Sequence, residues 1–219
     1  MYMIYNLNMD PKDYWNKKHI CYASKDWIDK PTIFSQFAIQ YFPKTGSLLD
    51  LGAGHGQDSR FFAKKGYSVT GTDFSETALK FLKEKADKEG LKIKTEQVDL
   101  SKDLPFGNES FDIVYAHLSL HYFDQKTTVK LFKEIHRVLK PGGVLAALFN
   151  TVDDPEIPQF KKLEKDYYLD PAGIAKRYFS VGSLKGFTEG KFESIISDNK
   201  GETHKDEIKT LIRFVGRKI

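Results

Sequence analysis

An apolar run carrying one acid, Leu48-Leu49-Asp50-Leu51, leads directly into Gly52-Ala53-Gly54-His55-Gly56. Residues Gln57 to Lys65 then have the composition of a helix. A strand, a Gly-x-Gly-x-Gly corner and a helix in that order confine the chain to a strand–turn–helix unit of a layered α/β fold. Glycines at the corner let the backbone turn sharply and let a ligand approach the main chain. The open N–H groups of the next helix favour a negatively charged group. A glycine corner alone also serves as a plain tight turn. The weight therefore rests on the acids at the next two strand ends.

Gly66 to Asp73 reads as a second strand ending in an acid. Asp73 lies near the ~20-residue offset at which a strand-end carboxylate meets a ribose diol. Two vicinal hydroxyls can donate to the two oxygens of such an acceptor-only group. Leu91 to Leu100 alternates like a half-buried strand, and Asp99 near its end could accept from the exocyclic amine of a base. Either acid alone could be a turn residue or a helix cap. The glycine corner, Asp73 and Asp99 in series at three strand ends favour one nucleotide-type site.

From about Ser47 to Asn150 the chain resembles the class I S-adenosylmethionine-dependent methyltransferases. The resemblance implies that the loop Asp50, Gly52, Ala53, Gly54 and Gly56 wraps the methionine part of S-adenosyl-L-methionine. It assigns Asp73 to the ribose hydroxyls, Phe74 to the adenine face, and Asp99 with the Leu100 amide to the adenine edge. Ser110 to His117 matches the fourth strand, which places Tyr115 near the cofactor, and Val138 to Leu145 matches the helix, turn and fifth strand after it. The implied fold is a Rossmann-like, mostly parallel seven-stranded sheet in the order 3-2-1-4-5-7-6, with the seventh strand antiparallel and helices on both faces. A dinucleotide-binding dehydrogenase competes less well. Its Gly-x-Gly-x-x-Gly pattern would put the third small residue at Gln57 rather than Gly56, and it gives Asp99 no task.

Length sets further bounds. The 219 residues suit a single domain 1–219, with a helical cap at 1–45 and a cofactor-binding core at 46–150. Residues 151–219 are expected to hold a substrate-side insertion and a C-terminal β-hairpin. No apolar stretch reaches the ~18 residues of a membrane span, and the first residues lack a secretory pattern. The single cysteine, Cys21, excludes an internal disulfide framework and a thiol-rich zinc site, so the expected compartment is the cytoplasm. The formal charge of +4 comes from 34 basic and 30 acidic residues, and the lysines mix with glutamates along helices. That pattern suits solvated helix faces and argues against nucleic acid as a partner.

Outside the core, Asp10-Pro11 starts a helix, and Pro31 starts another at Thr32 to Tyr41 that Pro43 ends. Ser75 caps the helix after strand two. Thr151 to Pro158 has loop composition, Phe160 to Tyr168 is expected to form a helix, and Ser180 caps the next one to about Gly186. Lys191 to Ile196 and Thr210 to Arg217 read as two strands of an edge hairpin, joined by Asp198 to Glu207.

The acceptor side is less specific. Aromatics at 1–45 and 151–180 stand outside the strand–helix rhythm, and Tyr14, Trp15 and Tyr178 are candidate substrate contacts that could equally fill core. His117 and His121 follow the fourth strand and are the candidate bases. His55 is a candidate cofactor neighbour, while His19, His136 and His204 read as surface or packing residues. The fourth strand lacks an Asn/Asp-Pro-Pro-aromatic turn, and no Cys pair or His/carboxylate cluster has metal-ligand spacing. The expected function is methylation of a small-molecule acceptor by a monomer or homodimer. A non-catalytic cofactor-binding partner or sensor, or an RNA-modifying enzyme, is the alternative.

Overall fold

The computed structural model describes residues 10–204 and 211–219. Residues 1–9 of the expected cap, 205–207 of the expected linker, and Thr210 lie outside them. The core strands are β1 (Ser47–Leu51), β2 (Ser68–Asp73), β3 (Lys94–Gln97), β4 (Phe111–His117) and β5 (Leu139–Asn150). Three short strands come next: β6 (Lys161–Glu164), β7 (Tyr167–Leu169) and β8 (Ala175–Arg177). The last two are β9 (Phe192–Gly201) and β10 (Leu211–Lys218). The helices are α1 (Pro11–Tyr22), α2 (Ile33–Ala38), α3 (Gln57–Lys64), α4 (Glu76–Lys88), α5 (Gln125–Val138) and α6 (Val181–Thr188).

Seven strands form one sheet in the order β3-β2-β1-β4-β5-β10-β9. The first five are parallel, and β10 runs antiparallel to both β5 and β9. Counting only the strands of this sheet, that is the expected order 3-2-1-4-5-7-6 with the seventh reversed.

Alternation within each strand decides which face each residue serves. Leu48, Ile113, Tyr115, Ala146 and Leu148 pack under Phe34 and Ala38 of α2 and Phe62 of α3. Their neighbours Leu49, Val114, Ala116, Leu145 and Ala147 pack under Leu131, Phe132 and Ile135 of α5 and Leu184 of α6. Each such large apolar side chain contributes ~1.5–3 kcal/mol on burial. Together they fix the sheet as a rigid platform whose strand ends carry the site.

Helix starts obey the sequence signals. Asp10 accepts from the Lys12 amide at 2.7 Å, and the Ser75 hydroxyl accepts from the Ala78 amide at 3.1 Å. Ser180 and Ser183 cap α6 reciprocally. Two glycines of the corner are required by packing as well as by conformation. Gly52 and Gly56 both have φ +74°, and a Cβ there would run into Ser119 and Leu82 respectively.

Two expectations are corrected. Residues 160–168 form no helix: they make β6 and β7, and with β8 a separate three-stranded antiparallel sheet. The third strand is shorter than its alternation implied, ending at Gln97, so Asp99 sits in the turn beyond it.

Arg177 fastens the small sheet to the segment after β4. Its guanidinium donates to Glu164 Oε2 at 2.9 Å and to the Phe123 and Lys165 carbonyls at 3.2 Å. Its amide donates to the His121 carbonyl at 2.6 Å.

Candidate active site

The C-terminal ends of β1, β2 and β4, the turn after β3, and the inner side of α1 enclose a cavity of about 610 Å³. That size falls within the ~300–1,000 Å³ of small-molecule sites. Asp50, Gly52, Ala53, Gly54, Asp73, Phe74, Asp99 and Leu100 all line it. The sheet order explains their meeting: parallel strands end on the same edge, so residues far apart in sequence share one rim.

Asp50 is only 2% exposed and accepts from the Ser59 hydroxyl at 2.6 Å. Burial pushes its carboxyl up to about 8; the Ser59 bond opposes this, while Asp58 and Asp73 nearby reinforce it. Asp73 accepts from the Gly54 amide at 2.9 Å through one oxygen and from the Ser75 amide at 2.9 Å through the other. Burial raises it to about 6, against the pull of these main-chain donors and that of Phe74. Asp99 differs. Burial pushes it up, but the Ser101 hydroxyl and amide and Lys102 outweigh that and hold it below the usual carboxylate range.

α1 closes over this rim. Asn16 Oδ1 accepts from the Ser75 hydroxyl at 2.6 Å, and Lys12 pairs with Glu76 at 2.6 Å. This docking brings His19 Nε2 to 4.0 Å from Asp73 Oδ1. Burial lowers His19 to about 4, so at neutral pH the ring is uncharged and the contact is not an ion pair. His55 lines the cavity, stacks on Phe81 at 4.4 Å, and bonds the His19 carbonyl at 3.0 Å. It too is lowered to about 4, first by burial and then by His19.

Across the cavity stand Trp15, His117, His121, Tyr122, Phe123 and Lys176. His121 is 2% exposed, and its Nδ1 has no hydrogen-bond partner among the described residues. Burial, then the Lys176 and His117 charges, lowers it to about 3. It is therefore neutral throughout the ordinary pH range.

A family model described as a methyltransferase domain matches residues 48–143. A crystal structure of an S-adenosylmethionine-dependent methyltransferase from Methanosarcina mazei superposes with TM-score 0.70 at 26% identity, covering 82% of this chain and 95% of that one. The chain carries a class I S-adenosylmethionine-dependent methyltransferase domain. The uncharacterized methyltransferase YodH of Bacillus subtilis is 36% identical over 121 residues, 55% of this chain and 50% of that one. The chain spans about half the length of the curated relatives it matches. The 1,6-didemethyltoxoflavin-N1-methyltransferase of Burkholderia thailandensis, solved with 1,6-didemethyltoxoflavin and S-adenosylhomocysteine, has TM-score 0.72 at 19% identity, covering 94% and 84%. At that identity the likeness is one of fold.

Four expected site residues stand away from the cavity wall. Tyr115 lies wholly buried under α2, where its hydroxyl donates to Asp58 Oδ2 at 2.8 Å and lies 3.1 Å from the Thr32 hydroxyl. Two residues short of the strand end, it meets the helix layer rather than the rim. Gly56 caps α3 and faces Leu82. Tyr14 and Tyr178 are buried as well, the first edge-on to Trp15 and the second edge-on to Tyr168.

Sequence reasoning missed other lining residues. His19, read as surface or packing, is in the wall, and so are Thr32, Asp58 and Lys176. Asp58 accepts from the Thr32 amide and hydroxyl, each at 2.8 Å. An acid in the first turn of α3 and a Thr before α2 were both visible as capping signals. Nothing local marked His19 or Lys176.

Proposed function

We propose that the protein transfers a methyl group from S-adenosylmethionine to a small-molecule acceptor by in-line displacement. The observation carrying this reading is that a glycine corner, Asp73 and Asp99, from three successive strand ends, line one cavity. When bound, the cofactor supplies a methyl group already activated on a sulfonium. The protein's part is to align two molecules and to exclude water.

The residues fit that cofactor. Asp73, held by two main-chain amides, keeps lone pairs open for a diol. Gln57 Oε1 is buried at the cavity wall with no hydrogen-bond partner among the described residues, a waiting acceptor for an ammonium. In this reading Asp50 and Gly52 to Gly54 surround the methionine end. Phe74 packs on the adenine, and Asp99 with the Leu100 amide meets its edge. His117 and His121 stand on the acceptor side. A neutral His121 can accept or donate one hydrogen bond, but a group lowered to about 3 is too weak to hold a proton near neutrality. Its task is to orient the acceptor rather than to act as its base.

A small acceptor suits a cleft of this volume lined largely by apolar groups. Calorimetry with S-adenosylmethionine and S-adenosylhomocysteine should give dissociation constants on the order of micromolar. No heat with either would overturn the cofactor assignment. Labelled methyl transfer to metabolite extracts should mark small molecules; label in RNA alone would overturn the acceptor class.

A further inference from the structure

Charge in the cavity is segregated. The lining carboxylates among the described residues are Asp50, Asp58, Asp73 and Asp99, all on the side of β1, β2, β3 and α3. The opposite side, built after β4 and by residues 150–204, presents histidines, aromatics and Lys176, and no carboxylate among the described residues. Lys176 is the one Lys or Arg in the described lining.

The fold holds that lysine in place. It sits on β8 beside Arg177, which anchors the strand to Glu164 and to the segment after β4. Successive residues of a strand point to opposite faces, so the Arg177 anchor turns Lys176 toward the cavity. Its Nζ donates to Asp170 Oδ2 at 2.8 Å. Asp170 is itself tied through its other oxygen to the amides of Ala172 and Ile174, both at 2.9 Å, and does not line the cavity. The pair partly neutralises Lys176 but also aims it. An ammonium has three donors, so two remain for a ligand. The side chain is 27% exposed, enough to be reached.

We infer that the acceptor is an aromatic molecule carrying a carboxylate or another ionised oxygen, docked on Lys176 with its ring among Trp15, Tyr122 and Phe123. This deepens, and rests on, the methyl-transfer reading. An anion entering an apolar cavity needs a charged partner, and Lys176 is the one this side offers. A cationic acceptor would meet the same lysine, and the carboxylate beside it, Asp170, is already paired with that ammonium and stands off the cavity wall. Trp15 and Tyr122, set edge to face at 5.1 Å, can hold a planar ring by stacking and edge contacts.

The test uses the whole protein saturated with S-adenosylhomocysteine, titrated with 2-naphthoate, 2-naphthamide and 2-naphthylmethylammonium. These probes share a ring system and differ in charge. Naphthoate should bind about tenfold tighter than the amide, the scale of one charge-assisted contact, and the ammonium weakest. Lys176→Met should erase the naphthoate preference, Lys176→Arg should retain it, and Lys176→Glu should shift preference to the ammonium. Equal binding of the three probes, no binding of any, or an unchanged naphthoate preference in Lys176→Met would overturn the inference. S-adenosylhomocysteine binding is measured first for every variant. A wild-type protein that failed that step would sink the cofactor assignment instead, so the two failures are distinguishable.

Discussion

The wall formed by the ends of β1 and β2 and the turn after β3 is acidic, its acids carried at strand ends, in that turn and, for Asp58, in the first turn of α3. The facing wall is aromatic and carries the one lysine of the described lining, and part of it comes from a small sheet inserted between β5 and α6. The first wall is shaped by hydrogen bonds to main-chain amides, as at Asp73. The second is shaped by side chains bridging separate segments, as at Arg177 and Lys176. The contrast is between a part the fold dictates and a part free to vary. A sheet edge fixes where a common cofactor binds, whereas an insertion can be redrawn for each acceptor.

The largest expected effect that would break the contrast lies at Asp73. Asp73→Ala removes two acceptor sites from the cofactor and strands the Gly54 and Ser75 amides. At ~1.5–3 kcal/mol for each hydrogen bond to a charged group, S-adenosylhomocysteine affinity should fall by about 100-fold or more. A calorimetric change under threefold would remove Asp73 from the site.

A smaller effect is expected behind the acidic wall. Tyr115→Phe keeps the ring packed between Phe34 and Phe62 and deletes only the hydroxyl that serves Asp58. Losing one buried donor to a carboxylate should cost ~1–3 kcal/mol, or a Tm lower by about 2–12 °C for a domain of this size. An unchanged Tm would show that Asp58 is held adequately by Thr32 alone.

The smallest effect is a pH slope. Asp50 keeps its proton to about 8 in the folded protein, whereas an unfolded aspartate loses it near ~3.9. Between about pH 6.5 and 8 the folded state therefore holds the extra proton, and stability falls as pH rises. Below that window His19, His55 and His121, lowered to about 4, 4 and 3, act with the opposite sign. There the unfolded chain binds the protons and stability rises with pH, against Asp50 and Asp73. Thermal melts of the ligand-free protein should therefore decline from pH 6.5 to 8, and Asp50→Asn should flatten that limb. A wild-type limb already flat would show that Asp50 ionises as an ordinary carboxylate.

Much of the acidic wall was legible because its signals are local. Gly52 and Gly54 announce the corner, Ser75 the cap after β2, and Asp73 the strand end. The edge hairpin of β9 and β10 was readable from its two apolar stretches, but β9 runs on to Gly201 through residues that the sequence suggested were linker. The 160–168 segment was not. Its strands are four and three residues long, the first exposed and the second half-buried, too short to show a period. Tyr115 was misassigned because a strand-end motif does not say how far the covering helix reaches. α2 and the Thr32 hydroxyl cover that position.

The sequence by itself determined the turns, the helix caps and the acids at the strand ends, since each depends on residues close along the chain; the strand order came with the family resemblance and pairs residues as distant as Leu48 and Ile113. Only the tertiary structure decided that His19 from α1 stands over Asp73, that Asp58 gathers Thr32 and Tyr115, and that Lys176 faces the cavity. Those neighbours are 26 to 57 positions apart, or, for Lys176, set by how an inserted sheet docks. No local pattern encodes a contact that packing of separate layers creates.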